Sequence, residues 1–324
     1  MSKLLLTYFL FISITLHAQQ NLRVVFYNVE NLFDTHNNTQ INDDEFTPDG
    51  LRHWSNYKYW RKIKHISKTL KIIGGWEAPA FIGLAEIEND TVLKNLTYSD
   101  PLKNSKYGII HRDSPDHRGI DVALLYRKDK YFPIRNYFFP LKDEDGKIIH
   151  SREILYSKGI VKGGDTLHFF VVHFPSRYGG YKKSEPKRLN AVNTLMAITD
   201  SLNKTLVNPK IIIMGDFNDT PTNTSIITLN NNKYLNRLNC EHGTHKFHEK
   251  WTKLDHFFVS NTLLNKTLNI SVKGNTNIFK EPYLLEEDKK YLGYKPNRTF
   301  IGFKYNGGFS DHLPVFIDLI LINN

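Results

Sequence analysis

Lys210-Ile211-Ile212-Ile213-Met214-Gly215-Asp216-Phe217-Asn218 carries an apolar run straight into an acid, with an amide two residues further on. The run has the length and composition of a strand. Four other segments repeat the device. Val24-Val25-Phe26-Tyr27 ends at Asn28, Phe81-Ile82-Gly83-Leu84-Ala85 at Glu86, and Phe169-Phe170-Val171-Val172 at His173. Near the C-terminus, Ser310-Asp311-His312 leads into Leu313-Pro314-Val315-Phe316. Strands that end this way set their polar residues on a shared rim, where rigid elements can hold a site. Asn, Glu, His, Asp, Asn, Asp and His together suit a hard divalent cation and acid–base work on a phosphate ester.

Outward from these segments, strand and helix patterns alternate. Residues 22–29 and 80–86 read as strands, and 30–53, with Pro48-Asp49-Gly50, as a long surface loop. Trp60, Ile63, Ile66, Leu70 and Ile73 recur at helical spacing before Gly74-Gly75. Residues 120–126, 131–139 and 152–161 read as strands, the last two joined through a turn at 142–146. Gly163-Gly164-Asp165 predicts a hairpin into the strand ending at His173. Ser184 is placed to cap a helix with Pro186 in its first turn and a buried stripe of Leu189, Val192, Leu195, Met196 and Leu202. Further strands are predicted at 210–214, 254–259 and 314–321, while 261–308 carries no clear period. No repeat and no long linker divides the chain. The expected architecture is an α/β or α+β sandwich, one domain over residues 19–324.

The 324 residues are 40% hydrophobic, enough for a substantial core. Cys240 is the only cysteine, which excludes an internal disulfide. The formal charge of +10 and a pI near 9.3 favour polyanionic partners: nucleic acid, an anionic lipid surface or a cell-wall polymer. Met1-Ser2-Lys3, an apolar run from Leu4 to Leu16, and Ala18 before Gln19 read as a secretory signal over residues 1–18, cleaved near Ala18. The run falls short of the roughly 20 residues that span a bilayer, so stable membrane insertion is not expected. The expected location is periplasmic or extracellular.

Phe26-Tyr27-Asn28-Val29-Glu30-Asn31, Leu84-Ala85-Glu86, Gly215-Asp216-Phe217-Asn218-Asp219, Leu254-Asp255-His256-Phe257 and Ser310-Asp311-His312-Leu313-Pro314 follow one another in a familiar order. The order resembles that of the endonuclease/exonuclease/phosphatase superfamily, which includes pancreatic-type deoxyribonuclease and exonuclease III, over about residues 22–318. The resemblance implies a four-layer sandwich of two packed mixed β-sheets flanked by helices, with the site at one end.

The resemblance also implies roles. Glu86 is the principal ligand of a catalytic Mg2+, with Mn2+ or Ca2+ as alternatives, and Asn28, Glu30 and Asp311 stand on the metal side. Asn28 also reaches phosphate. Asp216 orients or deprotonates the attacking water, and Asn218 donates to a phosphate oxygen. His312 and Asp255 form a dyad in which the carboxylate fixes the imidazole tautomer. His173 protonates the leaving oxygen or binds phosphate. Arg152, Arg177 and Arg188 supply the countercharge that so many acids require. Asp121, inside an apolar strand, is a candidate to orient His173 or a nearby arginine.

These roles lead to the expectation of a secreted, metal-dependent phosphodiesterase, a monomer that cleaves DNA or RNA by in-line attack of water. A sphingomyelinase-type phospholipase and a phosphatase of small phosphorylated molecules are the alternatives. The aromatic segments 137–139 and 291–294 are the candidates for a membrane-facing hairpin.

Overall fold

The computed structural model describes residues 19–143 and 145–322, so the signal-peptide reading of residues 1–18 lies outside the described residues. The chain opens with β1 (Gln19–Leu32), α1 (Asn56–Ile73), β2 (Phe81–Ile87), α2 (Asp90–Tyr98), β3 (Tyr107–His111) and β4 (Asp121–Arg127). It continues with β5 (Tyr131–Phe139), β6 (Ile154–Val161), β7 (Thr166–His173), α3 (Tyr181–Thr205), β8 (Lys210–Asp216) and α4 (Thr224–Asn230). Then come β9 (Leu235–Arg237), a hairpin of β10 (His245–Phe247) and β11 (Lys250–Thr252), β12 (Asp255–Ser260) and α5 (Asn261–Leu264). The last part holds β13 (Ile270–Ile278), β14 (Leu285–Glu287), β15 (Tyr294–Pro296), β16 (Phe300–Ile301), β17 (Lys304–Tyr305) and β18 (Val315–Ile322).

Two six-stranded mixed sheets form, in the orders β13-β18-β1-β2-β4-β3 and β5-β6-β7-β8-β12-β9. Period-two burial explains how they stack. Val24 and Phe26, Val122 and Leu124, Val315 and Ile317 face inward from the first sheet; Phe169 and Val171, Ile212 and Met214, Phe257 and Val259 meet them from the second. The alternate residues face out. Val25, Tyr27, Ile82 and Leu84 pack under Ile63, Ile66 and Leu70 of α1. Phe170, Val172, Ile211 and Ile213 pack under Ala191, Val192 and Leu195 of α3. The result is the four-layer sandwich, helix on sheet on sheet on helix. The sheets approach closely at Gly83, where an added Cβ would lie 2.9 Å from the Met214 sulfur.

Each sheet contains one parallel pair, β1 with β2 and β7 with β8. Parallel neighbours end at the same edge. Asn28 pairs with Ala85 beside Glu86, and His173 pairs with Asp216. β12 runs antiparallel and begins at Asp255, opposite Asp216. β18 begins just after His312. One rim of the sandwich therefore collects all five motif segments.

Several local expectations need correction. The first helix spans Asn56–Ile73 with the expected stripe, except that Trp60 lies 47% exposed. Helix α3 begins at Tyr181, so Ser184 and Pro186 sit inside it rather than at its cap. Ser184 instead gives its hydroxyl to the Gly180 carbonyl and accepts from Arg188. Residues 30–53 are mostly irregular, but β1 continues through Leu32. Residues 261–308 hold β13 and short hairpins, whose two- and three-residue strands are too brief to show a period.

Candidate active site

Where the strands end, the backbone turns sharply. Glu30, Asn31, Glu86 and Asn218 all take positive φ, between 51° and 65°. Non-glycine residues rarely hold that conformation, and such strain gathers at functional sites. The turn re-aims each side chain. Asn28 lies at the junction of the sheets: its amide donates to Glu86 Oε1 (3.3 Å) and to Asp216 Oδ2 (3.1 Å). Its oxygen is engaged by the Glu30 N–H at 3.0 Å. Glu86 Oε2 accepts from the Asn31 N–H at 2.8 Å.

A pocket of about 460 Å³ opens here, lined by Glu86, Asp216, Asn218, His173, Asp311 and His312, with Arg118, Arg177, His245 and Phe247 among its walls. His312 Nδ1 lies 2.8 Å from Asp255 Oδ2, and its Nε2 3.7 Å from Asp216 Oδ2. Thr244 also donates to Asp255. Ser310 fixes the segment, donating to the Asn28 carbonyl (2.7 Å) and accepting the His312 N–H (3.1 Å). His173 Nε2 sits 3.7 Å from Asp216 Oδ2 and 3.9 Å from Glu86 Oε1. Asp216 Oδ1 accepts the Asn218 N–H, while the Asn218 amide donates to the Phe174 carbonyl.

Electrostatics divides these groups. Burial pushes Asp216 up to about 7, with Asp255 adding to the rise and His312 opposing it. Burial opposes charge on His312, but Asp255 and Asp216 outweigh it and raise this imidazole well above its ordinary value. Burial holds His173 well below its usual range, helped by Arg152 and Arg118. The pocket thus pairs a cationic histidine with a neutral one across a carboxylate of near-neutral pKa.

The donor chemistry fits a divalent cation. Glu86 and Asp311 present hard carboxylate oxygens to the pocket, and Asp311 brings a ligand atom within 4.8 Å of His245 and His312. Asp216, Asp255 and His312 form a second such group. Glu86 and Asp311 are the residues placed to hold the ion, whose charge would polarise a phosphoryl oxygen and lower the pKa of bound water.

Not every expected residue reaches the pocket. Glu30 turns away, because its left-handed backbone breaks the extended register that would align it with Asn28. Its carboxylate meets Arg298 Nε (3.1 Å) and the Thr299 N–H (2.6 Å). Asn28 is 1% exposed and orients the two acids from behind. Arg188 is wholly buried, 2.7 Å from Asp219, and anchors α3 rather than binding phosphate. Arg152 is buried between Asp116 Oδ2 (2.9 Å) and the Phe174 carbonyl (2.7 Å), bracing two loops behind the pocket. Arg177 does line the pocket, though it also donates to the Asn218 carbonyl and to Asn223. Asp121 faces His111 and Ser114 instead of His173.

Four residues escaped the sequence reading. Arg298 spans Glu30 and Asp311, 2.9 Å from the latter. It lies in the unassigned 261–308 stretch. His245 pairs with His312 across an isolated bridge, with ring centroids 5.0 Å apart. Phe247 follows on the same three-residue strand, and Arg118 projects from the loop before β4. Short strands and loops give these residues no periodic signal.

The endonuclease/exonuclease/phosphatase family model matches residues 23–320, nearly the whole described chain. The chain belongs to that family. Family members hydrolyse phosphoester bonds and generally depend on a divalent metal. Solved structures repeat the fold. A family protein from Bacteroides thetaiotaomicron shares 19% identity and a TM-score of 0.60 over 95% of this chain and all of that one. A mannosyl-6-phosphatase from the same organism gives 20% and 0.59, covering 92% and 99%. D. rerio TDP2, complexed with a single-strand DNA product, gives 11% and 0.56 over 92% and 98%. At these identities the likeness concerns the fold alone. No curated protein sequence matches the chain. Among the described residues, no helix is long and apolar enough to cross a membrane.

Proposed function

We propose that this protein is a Mg2+- or Mn2+-dependent phosphodiesterase that cleaves nucleic acid internally, working as a monomer. The observation that carries the reading is the Asp255–His312 pair, aimed at Asp216 across a pocket that also holds Glu86, His173 and Arg177. When bound, the cation supplies Lewis-acid charge at the phosphoryl group and a more acidic water. The chain's own residues do the rest. Asp216, poised near neutrality, takes the proton of the attacking water. His312, held as an imidazolium by Asp255, donates to a phosphoryl oxygen on which charge grows. Neutral His173 donates its remaining ring N–H to the leaving oxygen, which takes up a proton from water as it departs, and Arg118 and Arg177 bind the flanking phosphates.

The net charge of +10 supports a polyanionic strand as substrate. Phe247, 63% exposed at the pocket, offers a stacking face for a base. A second reading, hydrolysis of a small phosphate monoester, is favoured by the pocket's modest 460 Å³ and the hairpin that walls it. The mannosyl-6-phosphatase shares that fold. Residues 1–18 are proposed as an export signal, on the strength of their basic start and short apolar run.

The test uses residues 19–324 with supercoiled plasmid and single-stranded RNA, in Mg2+, Mn2+ or EDTA, beside Glu86→Ala. Metal-dependent nicking that the substitution abolishes supports the nuclease. Intact strands alongside metal-dependent phosphate release from sugar phosphates or nucleoside monophosphates would transfer the protein to the second reading. A start-site mass of 19–324 from the native host tests export.

A further inference from the structure

Beyond the pocket, a third group of metal-ligating atoms converges on the same rim. His111 ends β3 and Asp121 opens β4, the neighbouring strand. Asp121 pairs with Ile87, next to Glu86, so the group stands one strand over from the pocket without lining it. His111 Nε2 lies 3.6 Å from Asp121 Oδ2 and 3.9 Å from Asp113 Oδ1. All three ligand atoms fall within 4.8 Å of one another.

Two further observations point to a ligand. The His111 side chain is 1% exposed, yet its Nε2 has no hydrogen-bond partner. Separations of 3.6 and 3.9 Å are too long for hydrogen bonds and leave room for an ion between the atoms. The other ring nitrogen is already committed: Nδ1 lies 2.9 Å from Asp90 Oδ1. A carboxylate on the far nitrogen fixes the tautomer that turns the Nε2 lone pair toward a metal, the usual arrangement of a metal-binding histidine. The second acid is likewise held, for Ser114 donates to Asp121 Oδ1 through both its N–H and its hydroxyl. Oδ2 is left facing His111.

Charge balance agrees. Among the described residues, Asp113 and Asp121 ion-pair with His111 and with no lysine or arginine. A dication would neutralise both carboxylates, which one imidazolium could not. We propose that His111, Asp113 and Asp121 form a structural site for a transition-metal dication of the zinc class, separate from the catalytic pocket. The mixed nitrogen and oxygen donors select Zn2+ over Mg2+ or Ca2+, which prefer all-oxygen ligands. Its task is mechanical. The ion closes the base of loop 112–120, and that loop carries Arg118 into the pocket. Asp116, held by Arg152 at 2.9 Å, fastens the same loop at its middle. The inference stands on this cluster's own geometry and survives failure of the nuclease reading.

The experiment strips residues 19–324 with chelator, then counts Zn2+ by equilibrium dialysis in the presence of excess Mg2+. Asp113→Ala is the main variant, because that side chain is 79% exposed and its loss leaves the core intact. His111→Gln is the second. The wild type should hold one equivalent of Zn2+ that each folded variant loses or binds at least about 10- to 100-fold more weakly. Zinc-edge anomalous diffraction should place the ion about 2.0–2.1 Å from His111 Nε2. Equal stoichiometry and affinity in wild type and Asp113→Ala would overturn the proposal. So would anomalous density confined to the catalytic pocket, since the imidazolium alone would then bridge the acids.

Discussion

The two walls of the pocket compensate their acids by different means. On the first, Asp311 lines the pocket and shares Arg298 with Glu30 behind it, and Lys62 donates to the Glu30 carbonyl and to Thr299. On the second, Asp216 and Asp255 share His312, with His173 close by. Asp311 and His312 are neighbours in sequence with ligand atoms within 4.8 Å of each other, yet they engage different partners. Arginine keeps its charge at any working pH, whereas histidine gives it up. Fixed charge can hold a shape. Titratable charge can move a proton. The first wall therefore positions, and the second reacts.

The sharpest way to break this distinction is to remove the shared cation from each wall in turn. His312→Ala should lower kcat by about 10²- to 10⁴-fold, the usual worth of a positioned acid or base, while unfolding stays cooperative. Arg298→Met should act mainly on stability, by about 1–3 kcal/mol, less than a fully buried pair because its side chain is 39% exposed. Its kcat should stay within tenfold of wild type. A collapse of turnover in Arg298→Met equal to that in His312→Ala would erase the difference between the walls.

Arg188→Met sharpens it from outside the pocket. Arg188 and Asp219 are both fully buried, and without Arg188 the Asp219 carboxylate keeps only Arg177, at 3.2 Å, as a cationic partner, so the loss should cost about 3 kcal/mol by denaturant titration, the low end for a broken buried pair. At temperatures where the variant remains folded, KM should not change. A raised KM with unaltered stability would return Arg188 to the phosphate-binding role that its sequence position suggests.

Acid and base should then separate the walls in metal-free protein. Arg298 and His312 outweigh the burial of Asp311 and bring its carboxyl down to about 2. Its contribution is complete above the unfolded value near 3.9 and is lost as pH falls through about 2, on the order of 2 kcal/mol. His312 has the opposite sign. Its folded value is raised, so its contribution is complete below about 6.5 and is lost as pH rises through that folded value. Asp216, raised to about 7, adds a loss of stability as pH climbs from its unfolded value near 3.9 toward 7. Asp255→Asn should shrink the alkaline component, which Asp216 still partly sustains, and Arg298→Met the acid one. Urea midpoints from pH 2 to 9 in EDTA read both.

The sequence made one side of this comparison visible and hid the other. Apolar strands that run into Asn28, Glu86, His173 and Asp216 are a local pattern, and β pairing converts it directly into a rim. The Asp255–His312 pairing follows from the resemblance and from β12 starting opposite Asp216. Glu30 misled because alternation assumes extended backbone, and its φ of 53° breaks that assumption. Arg152 and Arg188 misled for another reason: a basic residue near a motif looks like a phosphate contact until burial gives it an acid. Arg298 and His245 sit on segments two or three residues long or in loops, where no period exists to reveal them.

Phe247 lines the pocket but shares in neither set of acids, and its smaller effect tests the whole division. It stands on the β10–β11 hairpin, its ring stacked against His248 at 4.1 Å and largely open to solvent. It carries no charge and no titratable group, so it has no part in moving protons. A base stacked on an aromatic ring is worth about 1–3 kcal/mol. One exposed ring should fall at the low end, roughly a fivefold rise in KM for Phe247→Ala with kcat unchanged. The same substitution should leave KM unaltered on a strand with an abasic site at the cleaved position. Equal losses on both strands would mean that the ring shapes the pocket instead of holding a base, and the monoester reading would gain. A fall in kcat would mean that the hairpin, through His245 against His312, belongs to the reactive wall after all.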